Sequence, residues 1–339
     1  MSKKVVISGY YGANNFGDEA ILETIVQRLK KYDADIIVFS TNPQKTSQIH
    51  KVNAVNSFDL FDVFINIIKS DVLISGGGSL LQDVTSLKSL FYYLFVLITA
   101  QIFGKNTLIF AQGIGPIKNK FGEILTKFVL KKCNAITVRD DKSLFLLRSW
   151  GLNNTQLVCD PLFDLELKAP NPQNKVGIQL RKFKTLTENL LITLANRVAI
   201  DFPDKEIVIY SFQDDNDLEV CRHFKQILLS INPDMDIHMV FNKTQQEIID
   251  SMAELEYLIA MRFHAVLIAI RYGIKTLAIN YDYKVENLAN AAQIPTISMS
   301  GNEDYGFVFN QLKNVNHNNL IEFANSKKFN WSQFDLFFK

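Results

Sequence analysis

The apolar residues of this 339-residue chain fall in short runs rich in Val, Ile and Leu, each followed by glycine or polar residues and then by a stretch with helical periodicity. The runs predicted to be strands lie at residues 4–8, 35–40, 71–75, 107–111, 135–138, 175–180, 206–210, 238–241, 257–260 and 276–280. Helices are predicted between them, notably at 18–31, 245–254 and 264–272, the last ended by Gly273. Continuous apolar strands that alternate with helices are typical of parallel sheets covered on both faces.

The alternation is interrupted at residues 166–175, where Pro170 and Pro172 stand in a polar stretch without periodicity. Such a stretch is typical of a linker. We therefore expect an α/β protein with two Rossmann-like lobes, each with a parallel sheet, at residues 1–165 and 176–339. The second lobe is expected to include the aromatic C-terminal tail, and the active site is expected in the cleft between the lobes.

The apolar segment at 87–103 is the part of the chain most similar to a membrane span. Its apolar run, residues 90–100, has eleven residues if Thr99 is counted, whereas a span needs about 20. The segment is therefore predicted to be a buried helix. A helix that contacts a bilayer surface or a lipid tail is the alternative.

The composition excludes several classes of protein. The 36 Lys and Arg residues balance 35 Asp and Glu residues, and the net charge of +1 gives no argument from bulk electrostatics for a nucleic-acid or an anionic-membrane partner. Three Cys residues without a CxxC pair favour a reducing compartment, and the N-terminal residues lack the pattern of a signal peptide, so we expect a cytoplasmic protein. The five His residues show no ligand spacing, and neither a metal nor a resident cofactor is expected.

Ligands of open α/β sheets bind outside the carboxyl ends of the strands, so the polar residues and glycines that follow strands are candidates for a site. The first such turn presents Tyr11 and Asn15, and Asp18 and Glu19 stand where the next helix begins. Carboxylates at this position repel a pyrophosphate, and the turn suits a neutral polyhydroxyl ligand better. The alternative is that Asp18 only caps the helix.

Two further turns allow a ligand to approach the backbone closely. Gly76, Gly77 and Gly78 follow the predicted strand at 71–75, and Gln112 follows another strand. Glycines remove the side chains that would block such an approach, and backbone amides in such turns bind oxyanions. Each turn alone is weak evidence for a site.

The strongest candidate is the turn Arg262-Phe263-His264, which joins a predicted strand to a predicted helix. A guanidinium, an imidazole and the positive end of a helix dipole meet there, and together they suit a carboxylate or a phosphate. Arg139 and Arg181 also follow strands, and we expect the three arginines to face the same cleft. The alternative is that each arginine forms an ordinary ion pair and that His264 only caps its helix.

Six motifs, taken together and in order, resemble the polysaccharide pyruvyl transferase family, and its bacterial cell-wall members especially. The motifs are GYYGANNFGDEAIL (9–22), GGGSLLQD (76–83), QGIGP (112–116), VRDDKS (138–143), CDP (159–161) and MRFHAVLIAIRYG (261–273). Each motif is modest by itself, and their order and spacing carry the resemblance.

The resemblance implies a glycosyltransferase-B-like fold and the transfer of a pyruvyl group from phosphoenolpyruvate, a co-substrate, to two hydroxyls of one sugar residue. The product would be a cyclic ketal in a cell-surface polysaccharide, with phosphate released. The expected partners are phosphoenolpyruvate and a saccharide acceptor. The sequence leaves open whether the acceptor is lipid-linked, which would bring the protein to the inner face of the membrane, and which oligomer the protein forms.

By the same resemblance, Arg262 and His264 contact the donor, and Arg139 is matched to a further donor arginine. Phe263 is added from its place in the motif and Arg181 from its strand-end position. The candidate catalytic residues are His264, as a general acid or only as a phosphate ligand, and Asp18. Either Asp18 or Glu19 would accept a proton from an acceptor hydroxyl or simply hydrogen-bond that hydroxyl. The residues expected on the acceptor side or in its loops are Tyr11, Asn15, Asp18, Glu19, Gly76, Gly77, Gly78 and Gln112.

Two other interpretations stay open. A nucleotide-sugar-dependent glycosyltransferase of the same fold is the first, and Asp282 and Glu286 are acids that could hold a ribose or sugar hydroxyl in such an enzyme. The second is a sugar-binding module without catalysis, which would not need Arg262 and His264 beside a donor site.

Overall fold

The computed structural model describes residues 2–339, which form two compact units. Unit 1 contains the described residues up to Leu165 together with Lys328–Lys339, and unit 2 contains Glu166–Lys327. Each unit has its own sheet, on which its helices pack. The α/β fold with two Rossmann-like lobes that the sequence predicts is confirmed.

Unit 1 is built on a sheet of seven parallel strands. They are β1 (Lys4–Tyr11), β2 (Asp35–Ser40), β3 (Asn53–Asn56), β4 (Val72–Ser75), β5 (Asn106–Gln112), β6 (Ala135–Val138) and β7 (Gln156–Leu157), in the order β3-β2-β1-β4-β5-β6-β7. The helices are α1 (Phe16–Lys30), α2 (Pro43–His50), α3 (Leu60–Lys69), α4 (Leu87–Ile102), α5 (Lys120–Leu130), α6 (Asp141–Ser149) and the C-terminal α14 (Ser332–Asp335), with a 3₁₀ turn at Pro161–Phe163. In the centre of the sheet, Val6 is aligned with Ile37 on one side and Leu73 on the other, and all three are buried.

Unit 2 is built on a sheet of six parallel strands. They are β8 (Lys175–Gln179), β9 (Glu206–Tyr210), β10 (Ile237–Val240), β11 (Tyr257–Ala260), β12 (Lys275–Asn280) and β13 (Thr296–Ser298), in the order β10-β9-β8-β11-β12-β13. The helices are α7 (Glu188–Asp201), α8 (Asp214–Ile231), α9 (Gln245–Met252), α10 (Phe263–Tyr272), α11 (Tyr283–Ala292), α12 (Tyr305–Lys313) and α13 (His317–Ser326). Ile178 is aligned with Ile209 and Ile259, and these side chains belong to the core of the unit.

The strand order in unit 2 places the residues that matter for a site. Because the strands are parallel, all of their carboxyl ends lie at one edge of the sheet. The chain builds outward from β8 in one direction to β9 and β10, and in the other to β11, β12 and β13. The direction therefore reverses between β8 and β11, which is the kind of position where ligands of open α/β sheets bind.

The C-terminal tail packs on unit 1 rather than on unit 2. The ring of Phe329 lies 5.1 Å from that of Phe110 on β5, and Arg28 of α1 donates two hydrogen bonds to the carboxylate of Asp335. Trp331 donates its indole N–H to Asp164 at 2.7 Å. Burying these aromatic rings against β5 accounts for the placement. The expectation that the tail extends the second lobe is therefore wrong.

Segment 166–175, expected to be a linker, is attached to unit 2 by backbone hydrogen bonds. The Asn171 N–H donates to the carbonyl of Ala253, and the Gln173 N–H donates to that of Glu254, both at 2.8 Å. The last residue of the segment, Lys175, already begins β8. The polar stretch is thus irregular in structure but fixed to one unit.

The apolar segment at 87–103 forms α4, so the helix that the sequence predicts there is confirmed. Its inner face contributes Leu90, Leu94 and Leu97 to the core of unit 1. Within residues 2–339, no helix combines the length and the apolar character that crossing a membrane requires.

Candidate functional site

The carboxyl edge of the unit 2 sheet brings together polar side chains from three neighbouring strands. Gln179 ends β8, Gln213 and Asp217 follow β9, and Arg262 follows β11. These strands are adjacent in the order β9-β8-β11, so their following residues converge. The cluster is centred on the guanidinium of Arg262.

Arg262 is held by a bidentate ion pair. Its Nε donates to Oδ2 of Asp217 at 2.7 Å and its Nη2 donates to Oδ1 at 2.8 Å, while Nη2 also donates to Oε1 of Gln213 at 3.1 Å. The Asp217 carboxylate is fully buried in the first turn of α8, and the Arg262 side chain is 12% exposed. The planar fork of arginine fits a carboxylate in this geometry, which fixes the plane and direction of the guanidinium.

The backbone of Arg262 is fixed as well. Its N–H donates to Oε1 of Gln179 at 2.8 Å, and the amide group of Gln179 donates to the carbonyl of Leu180 at the same distance. Gln179 is a buried polar residue at the end of an otherwise apolar strand. Its two hydrogen bonds account for its burial and set the position at which α10 begins.

His264 lies in the first turn of α10, as the second residue of the helix. Arg262 is the N-cap residue, with extended backbone and no side-chain capping bond, and the helix begins at Phe263. The His264 and Phe263 rings meet edge to face, with centroids 5.2 Å apart, and both residues are half-buried. The helix dipole favours an anion at this end, beside the two basic side chains.

Arg181, the second arginine expected at this edge, is held by an aromatic side chain. Its Nη1 donates to the hydroxyl of Tyr281 at 3.2 Å, and the guanidinium lies 5.5 Å from the centre of that ring. The backbone N–H of Arg181 contacts the sulfur of Met261 at 3.2 Å, which places the residue beside the end of β11. The structure thus brings Arg181, Arg262 and His264 to one edge of unit 2, whereas Arg139 belongs to unit 1.

Arg139 follows β6 of unit 1 and repeats the pairing seen at Arg262. Its Nη1 donates to Oδ2 of Asp160 at 2.8 Å, and both side chains are largely buried. Asp160 also accepts the N–H of Leu162 through Oδ1, which starts the 3₁₀ turn. Each of these two strand-end arginines is therefore oriented by a buried aspartate.

The first turn of unit 1 packs around Tyr11. Its side chain is buried, and a Cβ atom on Gly76 would collide with its hydroxyl. Among residues 2–339, no group is placed to hydrogen-bond that hydroxyl. Burial, and then the charges of Asp18 and Glu19, raise the pKa of Tyr11 well above 10. The glycine is required here because any side chain would occupy the space of the phenol.

Asp18 lies in the first turn of α1 and not at its cap. The helix begins at Phe16, two residues earlier than predicted, which makes Asn15 the N-cap residue. The amide of Asn15 donates to Oδ2 of Asp18, and Oδ1 lies only 2.5 Å from the position that a Cβ of Gly78 would take. The structure therefore corrects the capping alternative, since Asp18 is oriented by Asn15 and packed against the glycine turn.

Glu19 is engaged entirely within the protein. Its Oε1 accepts the N–H of Gly12 at 2.7 Å, and its Oε2 lies 3.0 Å from Nε2 of His50. The other ring nitrogen of His50 lies 2.7 Å from the carboxylate of Glu23. Burial opposes the charged imidazole, but the hydrogen bonds to Glu19 and Glu23 outweigh it and raise the pKa of His50 above 6.5. Glu19 thus holds the turn that precedes Asp18, and its carboxylate does not face outward.

Gln112 ties the second glycine turn to the neighbouring strand. Its amide group donates to Oγ of Ser75 and to the carbonyl of Gly76, both at 2.7 Å. The backbone continues the connection, since the Gly113 N–H donates to the carbonyl of Gly78 at 2.9 Å. Gln112 is fully buried, so that its role in the structure is to hold Gly76 to Gly78 in place.

Of the two acids considered for a nucleotide-sugar enzyme, one caps a helix and the other is exposed on the same helix. Asp282 caps α11 by accepting the N–H of Lys284 at 2.8 Å, and Glu286 is exposed on the same helix. Across residues 2–339, no three His, Cys, Asp or Glu side chains are grouped so that they could hold a metal ion.

Sequence reasoning missed the residues that orient the arginines. Asp217 stands among Asp214, Asp215 and Glu219, and nothing in that acidic run distinguishes it. Gln179 gave a usable signal, because a polar residue at the end of an apolar strand must find a partner when it is buried. Asp160 was within the CDP motif but had no assigned role.

These features define the class of the protein. The protein has an α/β fold of the glycosyltransferase-B-like kind, with two Rossmann-like units that each contain a parallel sheet. Unit 2 carries a cluster of oriented basic groups at the carboxyl edge of its sheet. The chain belongs to the polysaccharide pyruvyl transferase family, whose model matches residues 15–283. The family includes pyruvyl-transferring enzymes with saccharide acceptors. No match was found among curated proteins.

Solved structures with the same fold are distant in sequence. The MnaA protein of S. aureus in complex with UDP has a TM-score of 0.66 and 10% identity, with 98% of this chain and 94% of that chain covered. HepE of Anabaena in complex with UDP-glucose has a TM-score of 0.64 and 11% identity, with 99% and 98% covered. The UDP-GlcNAc 2-epimerase of Neisseria meningitidis has a TM-score of 0.63 and 11% identity, with 96% and 94% covered. At such identities the likeness establishes the fold alone.

Proposed function

We propose that this protein transfers the pyruvyl group of phosphoenolpyruvate to two hydroxyls of one sugar residue of a cell-surface polysaccharide or its precursor. The product is a cyclic ketal, and phosphate is released. Membership of the family supports pyruvyl transfer. The observation that carries the donor assignment is the Arg262 guanidinium, oriented by buried Asp217 beside His264 at the start of α10.

The donor carries a carboxylate and a phosphate, so its binding requires fixed cations. Nε and Nη2 of Arg262 are used by Asp217 and Gln213, and the donor is bound through the remaining Nη1. Arg181, half-buried beside the end of β11, supplies a second cation at the same edge. Phe263 adds an apolar surface next to the imidazole. The part of Arg139 in donor binding stays a prediction from the resemblance.

The reaction begins with a proton delivered to the methylene carbon of phosphoenolpyruvate, which becomes the methyl group of the product. His264 supplies this proton, a role that typically contributes about 10²–10⁴-fold to a rate. The adjacent carbon becomes an oxocarbenium-like centre, and the first sugar hydroxyl adds to it and loses its proton. The C–O bond to phosphate then breaks, the second hydroxyl adds, and its proton leaves with the phosphate as HPO₄²⁻.

The saccharide acceptor is assigned to unit 1. Asp18 is half-buried, oriented by Asn15 and packed against Gly78, so its carboxylate has a defined direction. An oriented carboxylate accepts the proton of an acceptor hydroxyl, or holds that hydroxyl in place. The Glu19 carboxylate and the Gln112 side chain support the loops instead, because both oxygens of Glu19 and the amide nitrogen of Gln112 are engaged internally.

Nucleotide-sugar transfer is the second candidate, because HepE and MnaA, which share the fold, bind UDP-glucose and UDP. Against it stands the family match, and Asp282, one of the two acids available for a sugar or ribose hydroxyl, already caps a helix. The two candidates differ in the ligand that Arg262 would contact.

Calorimetric titration of the purified protein with phosphoenolpyruvate and with UDP-glucose tests the proposal. We expect binding of phosphoenolpyruvate that weakens by about tenfold or more in Arg262→Ala, since a charge-assisted hydrogen bond is lost. Arg222→Ala is the matched control, because Arg222 is exposed on α8 away from the strand ends. Unchanged affinity for phosphoenolpyruvate in both Arg262→Ala and His264→Ala, or binding of UDP-glucose alone, would overturn the proposal.

A further inference from the structure

Helix α5 has apolar side chains on the face that points away from the core. Its buried residues are Gly122, Thr126, Val129 and Leu130. On the opposite side, Phe121, Ile124 and Phe128 are 64%, 67% and 54% exposed. The spacing of three and four residues places these three side chains in one stripe along the helix. An outward face of a helix in a water-soluble protein is normally polar.

The exposed apolar stripe continues onto the neighbouring helix α4. Leu87, Phe91, Phe95, Ile98 and Ile102 recur every three or four residues along its full length, in a row beside the buried leucines, and Phe91 and Ile98 are half-buried against the core of unit 1. Ile102 is 72% exposed, and Leu87 and Phe95 are exposed as well. The rings of Phe91 on α4 and Phe121 on α5 lie 6.1 Å apart, which joins the two stripes. We call this surface the α4–α5 patch.

Lysines border the α4–α5 patch on the side of α5. Segment 118–132 contains Lys118, Lys120, Lys127, Lys131 and Lys132, and its one acid, Glu123, accepts the indole N–H of Trp150 at 3.2 Å. Helical spacing places Lys120, Lys127 and Lys131 in a stripe beside the exposed apolar one. On the other side, the ammonium of Lys132 lies 4.3 Å from the centre of the Phe128 ring. Apolar side chains are therefore bordered by positive charge on a protein whose net charge is only +1.

We propose that the α4–α5 patch docks unit 1 onto an anionic lipid membrane. The aromatic and aliphatic side chains enter the boundary between headgroups and acyl chains, and the lysines bind the lipid phosphates. Lysines suit this role because their long stems lie along apolar surface while the charge reaches the interface. The inference is independent of the proposed reaction, since it rests on the apolar side chains of α4 and α5 and on the lysines of segment 118–132.

The charges favour a membrane over a second copy of the chain as the occupant. A symmetric dimer formed through this face would bring the lysines of one copy against those of the other, because a two-fold interface pairs the same surface with itself. Like charges brought together in this way oppose association. An anionic lipid surface, in contrast, matches both the apolar stripes and the lysines.

Co-sedimentation of the 339-residue chain with lipid vesicles tests the inference. We expect binding to vesicles of equimolar phosphatidylcholine and phosphatidylglycerol, and much weaker binding to phosphatidylcholine alone. Lys131→Gln with Lys132→Gln should lower the partition constant by about tenfold or more, because each lysine near an anionic surface contributes about a factor of five. Raising the NaCl concentration from 0.1 M to 1 M should also weaken binding, since the screening length falls from about 10 Å to about 3 Å.

The apolar contribution is tested with Phe121→Ser combined with Phe128→Ser. Phe307→Ser is the matched control, because Phe307 is 61% exposed on α12 of unit 2. The double variant should lose vesicle binding while keeping the thermal unfolding midpoint of the wild type, and the control should bind normally. Any of three results would overturn the proposal. The wild type could fail to bind anionic vesicles, or the double variant could bind them as well as the wild type does. Alternatively, light scattering could show that the wild type is a dimer and the double variant a monomer.

Discussion

The carboxylate of Asp217 receives two hydrogen bonds from the guanidinium of Arg262, at 2.7 and 2.8 Å, and is itself fully buried. The two residues are separated by 45 positions in the sequence and come from α8 and from the turn that precedes α10. A guanidinium held on one side has only its remaining N–H groups to offer to a ligand. The pair therefore leaves Nη1 as the part of the Arg262 guanidinium that neither Asp217 nor Gln213 engages.

Asp217→Asn should impair donor binding more than folding. The amide keeps the shape of the side chain but replaces one acceptor oxygen by a donor, so Arg262 loses its bidentate anchor. We expect the KM for phosphoenolpyruvate to rise by about tenfold or more, the equivalent of one charge-assisted hydrogen bond. Asp215→Asn, on the exposed side of the same helical turn, is the control and should leave KM unchanged. A normal KM in Asp217→Asn would show that the anchor does not position the guanidinium.

Gly76 and Tyr11 should be coupled in stability. Gly76→Ala places a Cβ against the phenol oxygen, and we expect it to lower the free energy of unfolding by about 1–3 kcal/mol. Tyr11→Phe should cost little, because the hydroxyl has no hydrogen-bond partner among residues 2–339. In the Phe background the cost of Gly76→Ala should fall. Urea unfolding followed by tryptophan fluorescence measures this, since Trp150 and Trp331, the two tryptophans of the chain, both lie in unit 1.

An equal cost of Gly76→Ala in the Tyr and Phe backgrounds would contradict the contact. Such additivity is the behaviour of residues that do not touch. It would mean that the glycine is needed for another reason than the space of the phenol.

His50 should make unit 1 more stable at low pH than at high pH. Because the pKa of His50 is raised in the folded protein by Glu19 and Glu23, against the effect of burial, the charged imidazole stabilises the fold. This stabilisation is fully present below the pKa of the unfolded chain, about 6.5, and is lost as the pH rises through the higher folded pKa.

The measurement is the difference in free energy of unfolding between the wild type and His50→Gln over a pH series. The difference should be largest in mildly acidic buffer and decrease toward alkaline pH. A difference that grows with pH would mean that His50 is neutral in the fold and that its two carboxylate contacts do not hold a charge.

Phe334→Ala should destabilise unit 1 although the residue lies near the C-terminus. Its ring is buried, 5.3 Å from the ring of Phe110 and 4.9 Å from that of Phe338. Removing a buried phenylalanine costs about 3–5 kcal/mol, which tryptophan fluorescence in a urea titration would detect. Leu336→Ala is the control, because Leu336 is 70% exposed, and should be near neutral. If Phe334→Ala were as mild as the control, the tail would not be part of the unit 1 core.

Much of the fold follows from the hydrophobic pattern. Every strand predicted from an apolar run overlaps an observed strand, and α10 ends at Gly273, as predicted, in the left-handed conformation that glycine favours. The strands that sequence reasoning missed, β3, β7 and β13, are short and lie at the edges of the two sheets. Edge strands are less buried and so need less of the apolar pattern that identifies a central strand.

The site was predictable only in part, for a related reason. Strand ends and glycine turns are local features, and they pointed to Arg262, Arg139 and the loop before Asp18. The partners Asp217 and Asp160 depend on which strands become neighbours, which no local pattern contains. The hydrophobic pattern also does not fix the exact residue at which a helix begins. Helix α1 begins two residues earlier than predicted, and Asp18 therefore lies in the first helical turn and not at the cap.

Release of phosphate from phosphoenolpyruvate, measured with and without cell-wall saccharides, tests the proposed reaction most directly. We expect phosphate only when donor and a suitable saccharide are both present, with a new methyl signal of the ketal in the proton NMR spectrum of the product. Release should be lost in Arg262→Ala and kept in Arg222→Ala. Turnover of a nucleotide sugar by the same preparation, with phosphoenolpyruvate left intact by every acceptor, would contradict the account.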